Sequence, residues 1–178
     1  TRERLLKVEF LDIGQGDSIY IEAPNGAQLL VDGGRGLKVL SALSSVMPFG
    51  DKSIDVVIGT HPDADHIGGL VDVLDKYSVG KIIESGGQSN SKIYNKLEDK
   101  IKVKNIPRIL GRAGMRIMLD KVHNVYFDIL YPDRDVSYME TNDGSIVGKL
   151  VYGNTSVMLT ADSPINKESY LMNQDPKI

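Results

Sequence analysis

The chain has 178 residues, of which 41% are hydrophobic and 25% are charged. This length and composition predict one globular domain over residues 1–178. The net charge of −3 excludes a general electrostatic attraction to nucleic acid, and the absence of cysteine excludes disulfides and thiolate metal sites. The sequence contains no apolar run of about 18 residues that could span a bilayer, and its first residues do not resemble a signal peptide.

The first half of the chain predicts three antiparallel strands followed by a strand–helix–strand crossover with parallel strands. The elements are strands over 5–13, 18–22 and 28–31, a helix over 37–46, a strand over 54–59, a helix over 67–77 and a strand over 81–84. Residues 54–59 are nearly all apolar, which is typical of a strand buried on both faces.

The second half predicts one helix, a β-rich region and a final helix. The elements are a helix over 92–102 capped by residues 89–91, strands over 107–110, 116–119 and 125–131, a hairpin of 145–151 with 156–160, and a helix from Pro164 to about 172. Residues 175–178 are similar to the start of a further strand.

A loop rich in possible metal ligands follows the buried strand. His61-Pro62-Asp63-Ala64-Asp65-His66 holds four such side chains, and active sites of open α/β sheets collect at the carboxyl ends of strands. We expect residues 61, 63 and 65 to point to one side and His66 to turn back toward them. Imidazole and carboxylate together favour a catalytic divalent metal. The alternative is that Asp63, Asp65 and His66 only cap a helix.

Other polar residues carry weaker signals. His123 lies in a predicted turn, and we expect it to be exposed. A nucleic-acid substrate would need a local basic patch, for which residues 96–104 and the series Arg108, Arg112 and Arg116 are the candidates. A solvated helix face and turn is the favoured interpretation of these basic residues.

Four stretches together resemble a known family: residues 8–18, 30–34, 60–69, and 141–145 with 159–162. They resemble the metallo-beta-lactamase superfamily and, within it, the ComEC-type hydrolase domain of the competence DNA-uptake channel and its stand-alone relatives. The resemblance implies an α/β protein, classed as α+β in some schemes, with an αββα sandwich that lacks its C-terminal part.

The resemblance also implies a ligand set for one or two divalent ions, which would be zinc or manganese, or magnesium. His61 and Asp63 would serve one ion, Asp65 and His66 the second, and Asp162 would bridge both. Asp65 would also hold the proton of the attacking water. Asp32 would accept hydrogen bonds that order the loop, although it can equally be a turn residue before two glycines.

This chain departs from the family pattern in three places. Asp63 replaces a histidine, which shifts the expected preference toward manganese or magnesium. The segment that contains Asn142 and Ser145 replaces another histidine, so the first metal site is expected to be weak unless one of these two side chains substitutes. The chain also ends before a histidine-rich loop. We therefore expect a segment truncated after its final helix, with an exposed edge strand through which it would form a homodimer.

The resemblance implies a metal-dependent phosphodiesterase or nuclease that acts on DNA with metal-activated water. One alternative is a catalytically silent binding or assembly domain with an incomplete metal site. Another is a hydrolase of small acyl substrates such as lactams or thioesters, whose members usually keep the histidine that Asp63 replaces. The parent protein would be extracytoplasmic or membrane-associated if it is competence-type, and cytoplasmic or secreted otherwise.

Overall fold

The computed structural model describes residues 5–174, so the predicted strand start at 175–178 lies outside the described residues. A six-stranded sheet has the order β1 to β6, in which β1, β2 and β3 are antiparallel and β3 to β6 are parallel. Its strands are β1 Lys7–Phe10, β2 Ile19–Glu22, β3 Gln28–Val31, β4 Ser53–Gly59, β5 Ser78–Glu84 and β6 Arg108–Leu110.

A second, antiparallel sheet of four strands has the order β10-β9-β8-β7. Its strands are β7 Arg116–Asp120, β8 Val125–Tyr131, β9 Val147–Tyr152 and β10 Thr155–Leu159. The helices are α1 Lys38–Val46, α2 Ala64–Ile67, α3 Leu70–Lys76, α4 Lys92–Val103 and α5 Ile165–Gln174, with a short 3-10 helix at Asn142–Gly144.

The alternation of side chains along the strands produces four layers. In β4, Val56 faces the second sheet while Val57 faces the helices, and both side chains are buried. Helices α1 to α4 cover the outer face of the first sheet. Helix α5 packs Leu171 against Tyr131 and Val147 on the outer face of the second sheet. The predicted αββα sandwich is confirmed.

No helix within residues 5–174 is long and apolar enough to cross a membrane.

The single helix predicted over residues 67–77 is wrong, because the chain forms α2 and α3 with Gly68 and Gly69 between them. At this break the backbone meets the loop after β3: the Gly33 N–H donates to the His66 carbonyl, and the Gly69 N–H donates to the Gly34 carbonyl, both at 2.8 Å. The extended alternation expected for residues 61, 63 and 65 also stops at Asp63, because α2 begins at Ala64.

Gly69→Ala is expected to destabilise the fold by about 2 kcal/mol, the usual cost of overpacking. A Cβ atom at Gly69 would overlap the carbonyl oxygen of Gly33, whereas the φ of −70° at Gly69 suits any residue. Gly59→Ala is the matched control, because its Cβ would lie no closer than 3.5 Å to a neighbouring atom. Urea unfolding measures both variants, and equal stability would contradict this account of the interlocked glycines.

Candidate metal centre

The candidate site lies where four chain segments end close together. Asp32 follows β3, and His61 follows the neighbouring parallel strand β4. His66 lies on α2, and Asp162 follows β10 of the other sheet. His61, His66 and Asp162 each offer one ligand atom, and these three atoms all lie within 4.8 Å of one another. The fold therefore brings Asp162 of the second sheet next to the two histidines of the metal loop.

Asp32 organises this group. Its Oδ1 accepts a hydrogen bond from the Thr60 N–H at 2.8 Å, and its Oδ2 accepts one from the Thr60 hydroxyl at 2.7 Å. The Nδ1 of His66 is 2.8 Å from the same Oδ2. Asp32 is fully buried, and a buried carboxylate requires such partners. It thereby joins the end of β4 to α2.

These hydrogen bonds determine which ring nitrogen of each histidine carries the hydrogen. The Thr60 hydroxyl donates its one hydrogen to Asp32, so it accepts from the Nδ1–H of His61, 3.0 Å away. His66 donates its Nδ1–H to Asp32 directly. In protein metal sites, histidine ligands commonly donate their other ring N–H to a carboxylate or carbonyl in this way. The Nε2 of each histidine is thus the nitrogen left for a ligand.

The Nε2 of His61 is a buried atom with no hydrogen-bond partner among the described residues. Leaving a buried polar atom unpaired costs about 1–3 kcal/mol. The Nε2 of His66 lies 3.5 Å from Asp162 Oδ2, and the two imidazole centroids are 4.1 Å apart. A divalent cation fits this donor set of two imidazoles and one carboxylate, because it would satisfy the unpaired Nε2 and the acidic group together.

Burial and the charges of the site shift the pKa values of its two histidines. Burial lowers the pKa of His61, and the neighbouring His66 lowers it further. Burial also acts to lower the pKa of His66, but the hydrogen bond and charge of Asp32 outweigh it and raise the pKa to about 9. A metal ion would compete with the proton for the His66 ring.

Backbone strain occurs at two of the site positions. Asp32 has a φ of 57°, and Ala161, which precedes Asp162, has a φ of 47°. Residues other than glycine rarely adopt this left-handed conformation unless the surrounding structure requires it. Asp32 directly follows β3, and Ala161 lies two residues after the end of β10, so both left-handed residues lie where a strand has just ended.

Asp63 and Asp65 occupy different places around the group of three. Asp63 Oδ2 lies 3.7 Å from His61 Nε2 and accepts a hydrogen bond from the Thr141 hydroxyl at 3.0 Å. Asp65 Oδ2 instead accepts a hydrogen bond from the Gln15 side chain at 3.0 Å. Asp63 is therefore close to His61. The division of the predicted ligands between two metal ions stays a prediction.

The segment around Asn142 and Ser145 supports the metal loop from the second sheet. Asn142 begins the 3-10 helix, and its carbonyl accepts the Ser145 N–H at 3.2 Å. The next residue, Ile146, donates its N–H to the Thr60 carbonyl at 2.9 Å. The Ser145 hydroxyl is buried and has no hydrogen-bond partner among the described residues. Whether Asn142 or Ser145 binds metal also stays a prediction.

Three further residues contribute to the site without having been singled out from the sequence. Thr60 links Asp32 to His61, and the Thr141 hydroxyl donates a hydrogen bond to Asp63. Burial raises the pKa of Asp17, while the charges of His66 and His61 act to lower it. All three lie within the stretches that carry the family resemblance, but only Thr60 adjoins a predicted ligand in sequence, whereas Asp17 and Thr141 reach the site through tertiary contacts. A cavity of about 170 Å³ adjoins this region, lined by Asp17, Asp32, Thr60 and by apolar residues from both sheets.

Asp32→Asn is expected to weaken the binding of Mn²⁺ or Zn²⁺ about 10- to 100-fold, because the amide neither stabilises nor orients the His66 ring as the carboxylate does. Asp120→Asn is the matched control, since Asp120 is also buried and pairs with a histidine, His123, at 2.7 Å. His123 is exposed, as predicted, and lies in a turn away from the three-residue group. Calorimetric titration compares the two variants, and equal affinities would contradict the role given to Asp32.

Comparison with known proteins places the chain in a family. The model of the metallo-beta-lactamase superfamily matches residues 11–174. The chain is 28% identical, over an alignment of 189 positions, to ComE operon protein 3 of Bacillus subtilis (strain 168), and the alignment covers 97% of the chain and 24% of that protein. The chain therefore spans about a quarter of the length of this curated relative.

Solved structures show the same fold at low sequence identity. MEM-A1, a subclass B3 metallo-beta-lactamase isolated from a soil metagenome library, superimposes with a TM-score of 0.56 at 11% identity, over 85% of this chain and 58% of that one. The metallo-beta-lactamase fold protein YhfI from Bacillus subtilis gives a TM-score of 0.54 at 19% identity, over 88% and 61% of the two chains. With its sandwich, its ligand loop and its distal aspartate, this chain belongs to the metallo-beta-lactamase superfamily.

Proposed function

We propose that this chain is the catalytic domain of a metal-dependent hydrolase that cleaves phosphodiesters and that its substrate is DNA. The observation that carries the metal dependence is the Nε2 of His61, which is buried beside His66 and Asp162 and has no hydrogen-bond partner within residues 5–174. This buried nitrogen lone pair without a partner destabilises the fold, and a bound cation would remove that cost.

His61, His66 and Asp162 would hold the cation, and Asp63 lies close enough to His61 to contribute a further oxygen. When bound, a divalent ion lowers the pKa of a coordinated water and stabilises negative charge on a phosphoryl oxygen. Carboxylates make this donor set harder than an all-imidazole set, which favours Mn²⁺ or Mg²⁺ beside Zn²⁺.

Asp65 is the residue that we assign to proton transfer. It is partly exposed, and the Gln15 amide fixes its Oδ2. The loop between β1 and β2 approaches Asp65 closely at Gly16, where a Cβ atom would overlap the Asp65 carbonyl oxygen. A carboxylate held in this way at the edge of the site is suited to accept the proton of the attacking water.

The choice of a phosphodiester rests on the competence-type resemblance of the four motifs and on the match to ComE operon protein 3 over nearly the whole chain. The replacement of a family histidine by Asp63 is a second reason, because hard oxygen ligands suit the metals that commonly serve phosphate chemistry. DNA is the substrate that the competence-type resemblance implies.

A silent binding or assembly domain is the second candidate. It is favoured by the small size of the ligand group, since His61, His66 and Asp162 converge while Asp65 pairs with Gln15. In that case the site would bind metal weakly and would not support turnover.

Metal-loaded protein is expected to hydrolyse bis(p-nitrophenyl) phosphate and DNA, and EDTA is expected to abolish both activities. Asp162→Asn should lower the rate at least about 100-fold, because it removes one of three convergent ligands. Asp99→Asn is the charge-matched control, since Asp99 is an exposed residue of α4. Metal content is measured on each variant by elemental analysis.

The other outcomes separate the alternatives. Stoichiometric metal without phosphodiester cleavage, but with hydrolysis of a lactam or thioester, would favour the small-acyl hydrolase. A protein that binds manganese and zinc weakly or not at all, and hydrolyses none of these substrates, would be the silent domain, and the proposal of a hydrolase would be withdrawn.

A further inference from the structure

Arg112 lies at the same edge of the first sheet as the metal centre. In the parallel register of β4, β5 and β6, Gly59 pairs with Glu84 and Glu84 pairs with Leu110. His61 is two residues beyond Gly59, and Arg112 is two residues beyond Leu110. With neighbouring strands about 4.8 Å apart, Gly59 and Leu110, after which the two segments leave the sheet, lie about 10 Å apart.

Backbone carbonyl groups hold the Arg112 guanidinium in place. Its Nη1 donates to the carbonyl oxygens of Ser85 and Gly111, each at 2.7 Å. The loop after β5 leaves room for the guanidinium at Gly86, where an added Cβ atom would lie 3.4 Å from Nη2. The guanidinium therefore rests on the β5 and β6 ends of the sheet edge.

The same loop contacts the metal loop. An added Cβ atom at Gly87 would lie 3.1 Å from the Pro62 ring, and His61, Pro62, Gly86 and Gly87 line one small cavity. Residues 85–87 thus separate the fixed guanidinium from His61.

Arg112 differs from the two basic residues that flank it in the series. Arg108 pairs with Glu84 and Glu98, and Arg116 pairs with Asp128. Among residues 5–174, no carboxylate forms an ion pair with Arg112, and its Nη2 and Nε have no hydrogen-bond acceptor. An arginine fork carries five N–H donors, so its charge and three donors remain available to a ligand.

Asp135 is a nearby acidic group. Hydrogen bonds from Ser137 lower the pKa of Asp135, and the charge of Arg112 lowers it slightly more. In the structure the Asp135 Oδ1 accepts a hydrogen bond from the Ser137 N–H at 2.9 Å, and no hydrogen bond joins Asp135 to Arg112 among residues 5–174. Asp135 therefore leaves the guanidinium donors free.

On the basis of the phosphodiesterase function proposed above, we propose that Arg112 binds the phosphate that flanks the scissile phosphodiester of a DNA strand. Guanidinium is the side-chain group whose fork matches two phosphate oxygens. Its attachment to the Gly111 and Ser85 carbonyls holds it to the side of the metal centre, so it meets a neighbouring phosphate rather than the reacting one. A substrate strand would then run along the sheet edge from His61 toward Arg112.

The test uses the whole chain and the variant Arg112→Gln. Fluorescence anisotropy measures the dissociation constant for a short single-stranded oligonucleotide, both in EDTA and with metal, over a range of salt concentrations. We expect Arg112→Gln to weaken binding about tenfold, as for a lost hydrogen bond to a charged group, and to reduce the salt slope by about 1. The loss should vanish on an oligonucleotide with uncharged methylphosphonate linkages.

Two controls separate phosphate binding from a structural effect. Hydrolysis of bis(p-nitrophenyl) phosphate, which has only one phosphate, should be unchanged in Arg112→Gln. Arg116→Gln removes the same charge from a paired, exposed arginine and should bind the oligonucleotide as the unsubstituted protein does. Should Arg112→Gln not fold, Arg112→Lys keeps the charge without the fork and is expected to show a smaller loss with the same dependence on backbone charge.

Equal oligonucleotide affinity and salt slope in the protein and in Arg112→Gln would overturn the role of Arg112, as would no measurable oligonucleotide binding by the unsubstituted chain. Failure of that chain to hydrolyse bis(p-nitrophenyl) phosphate would instead refute the proposed function. The binding measurement would still decide whether Arg112 contacts phosphate, because it needs no turnover.

Discussion

The structure of the site depends on the buried carboxylate of Asp32. It accepts two hydrogen bonds from Thr60 and one from His66, and so fixes the end of β4 and the short helix α2 relative to β3. This requires the chain to turn at a left-handed φ directly after β3 and to pack without side chains against Gly68 and Gly69. The Asp-Gly-Gly sequence and the Gly-Gly pair are thus two halves of one close backbone contact.

The chemistry of the centre follows from this arrangement. The Nδ1 atom of His66 bonds to Asp32, and the Nδ1 atom of His61 bonds to Thr60, which in turn bonds to Asp32. The Nε2 atom of each imidazole is therefore the one that can ligate a metal ion. Asp162 reaches them from the second sheet, after a strained residue at the end of β10. A metal centre built in this way couples the two sheets, so its integrity depends on the packing of the whole sandwich.

The parallel part of the first sheet gives the site a direction. The strands β4, β5 and β6 end at one edge and at one level. The metal loop therefore leaves the sheet at one position, and the segment with Arg112 leaves it about two strand spacings away, with the guanidinium held against the β5 end by the Ser85 carbonyl. The chain has a net charge of −3, and among residues 5–174 Arg112 forms no ion pair at this edge, so its positive charge is local rather than part of a basic surface. The neighbouring arginines are neutralised by carboxylates, so a count of basic residues does not distinguish them.

The sequence by itself determined nearly all of the strands and the loop that carries the histidines, because the period of apolar residues and the density of ligand residues are local properties. It indicated the αββα sandwich through the resemblance of its motifs to the family. It also indicated Asp32 and Asp162, although only through resemblance, since an aspartate at a strand end has many uses. Tertiary structure alone decided the break between α2 and α3, the pairing of Asp65 with Gln15, the contact of Thr141 with Asp63 and the free state of Arg112. These features depend on which segments become neighbours across the sheets, and the spacing of residues along the chain does not determine those neighbours.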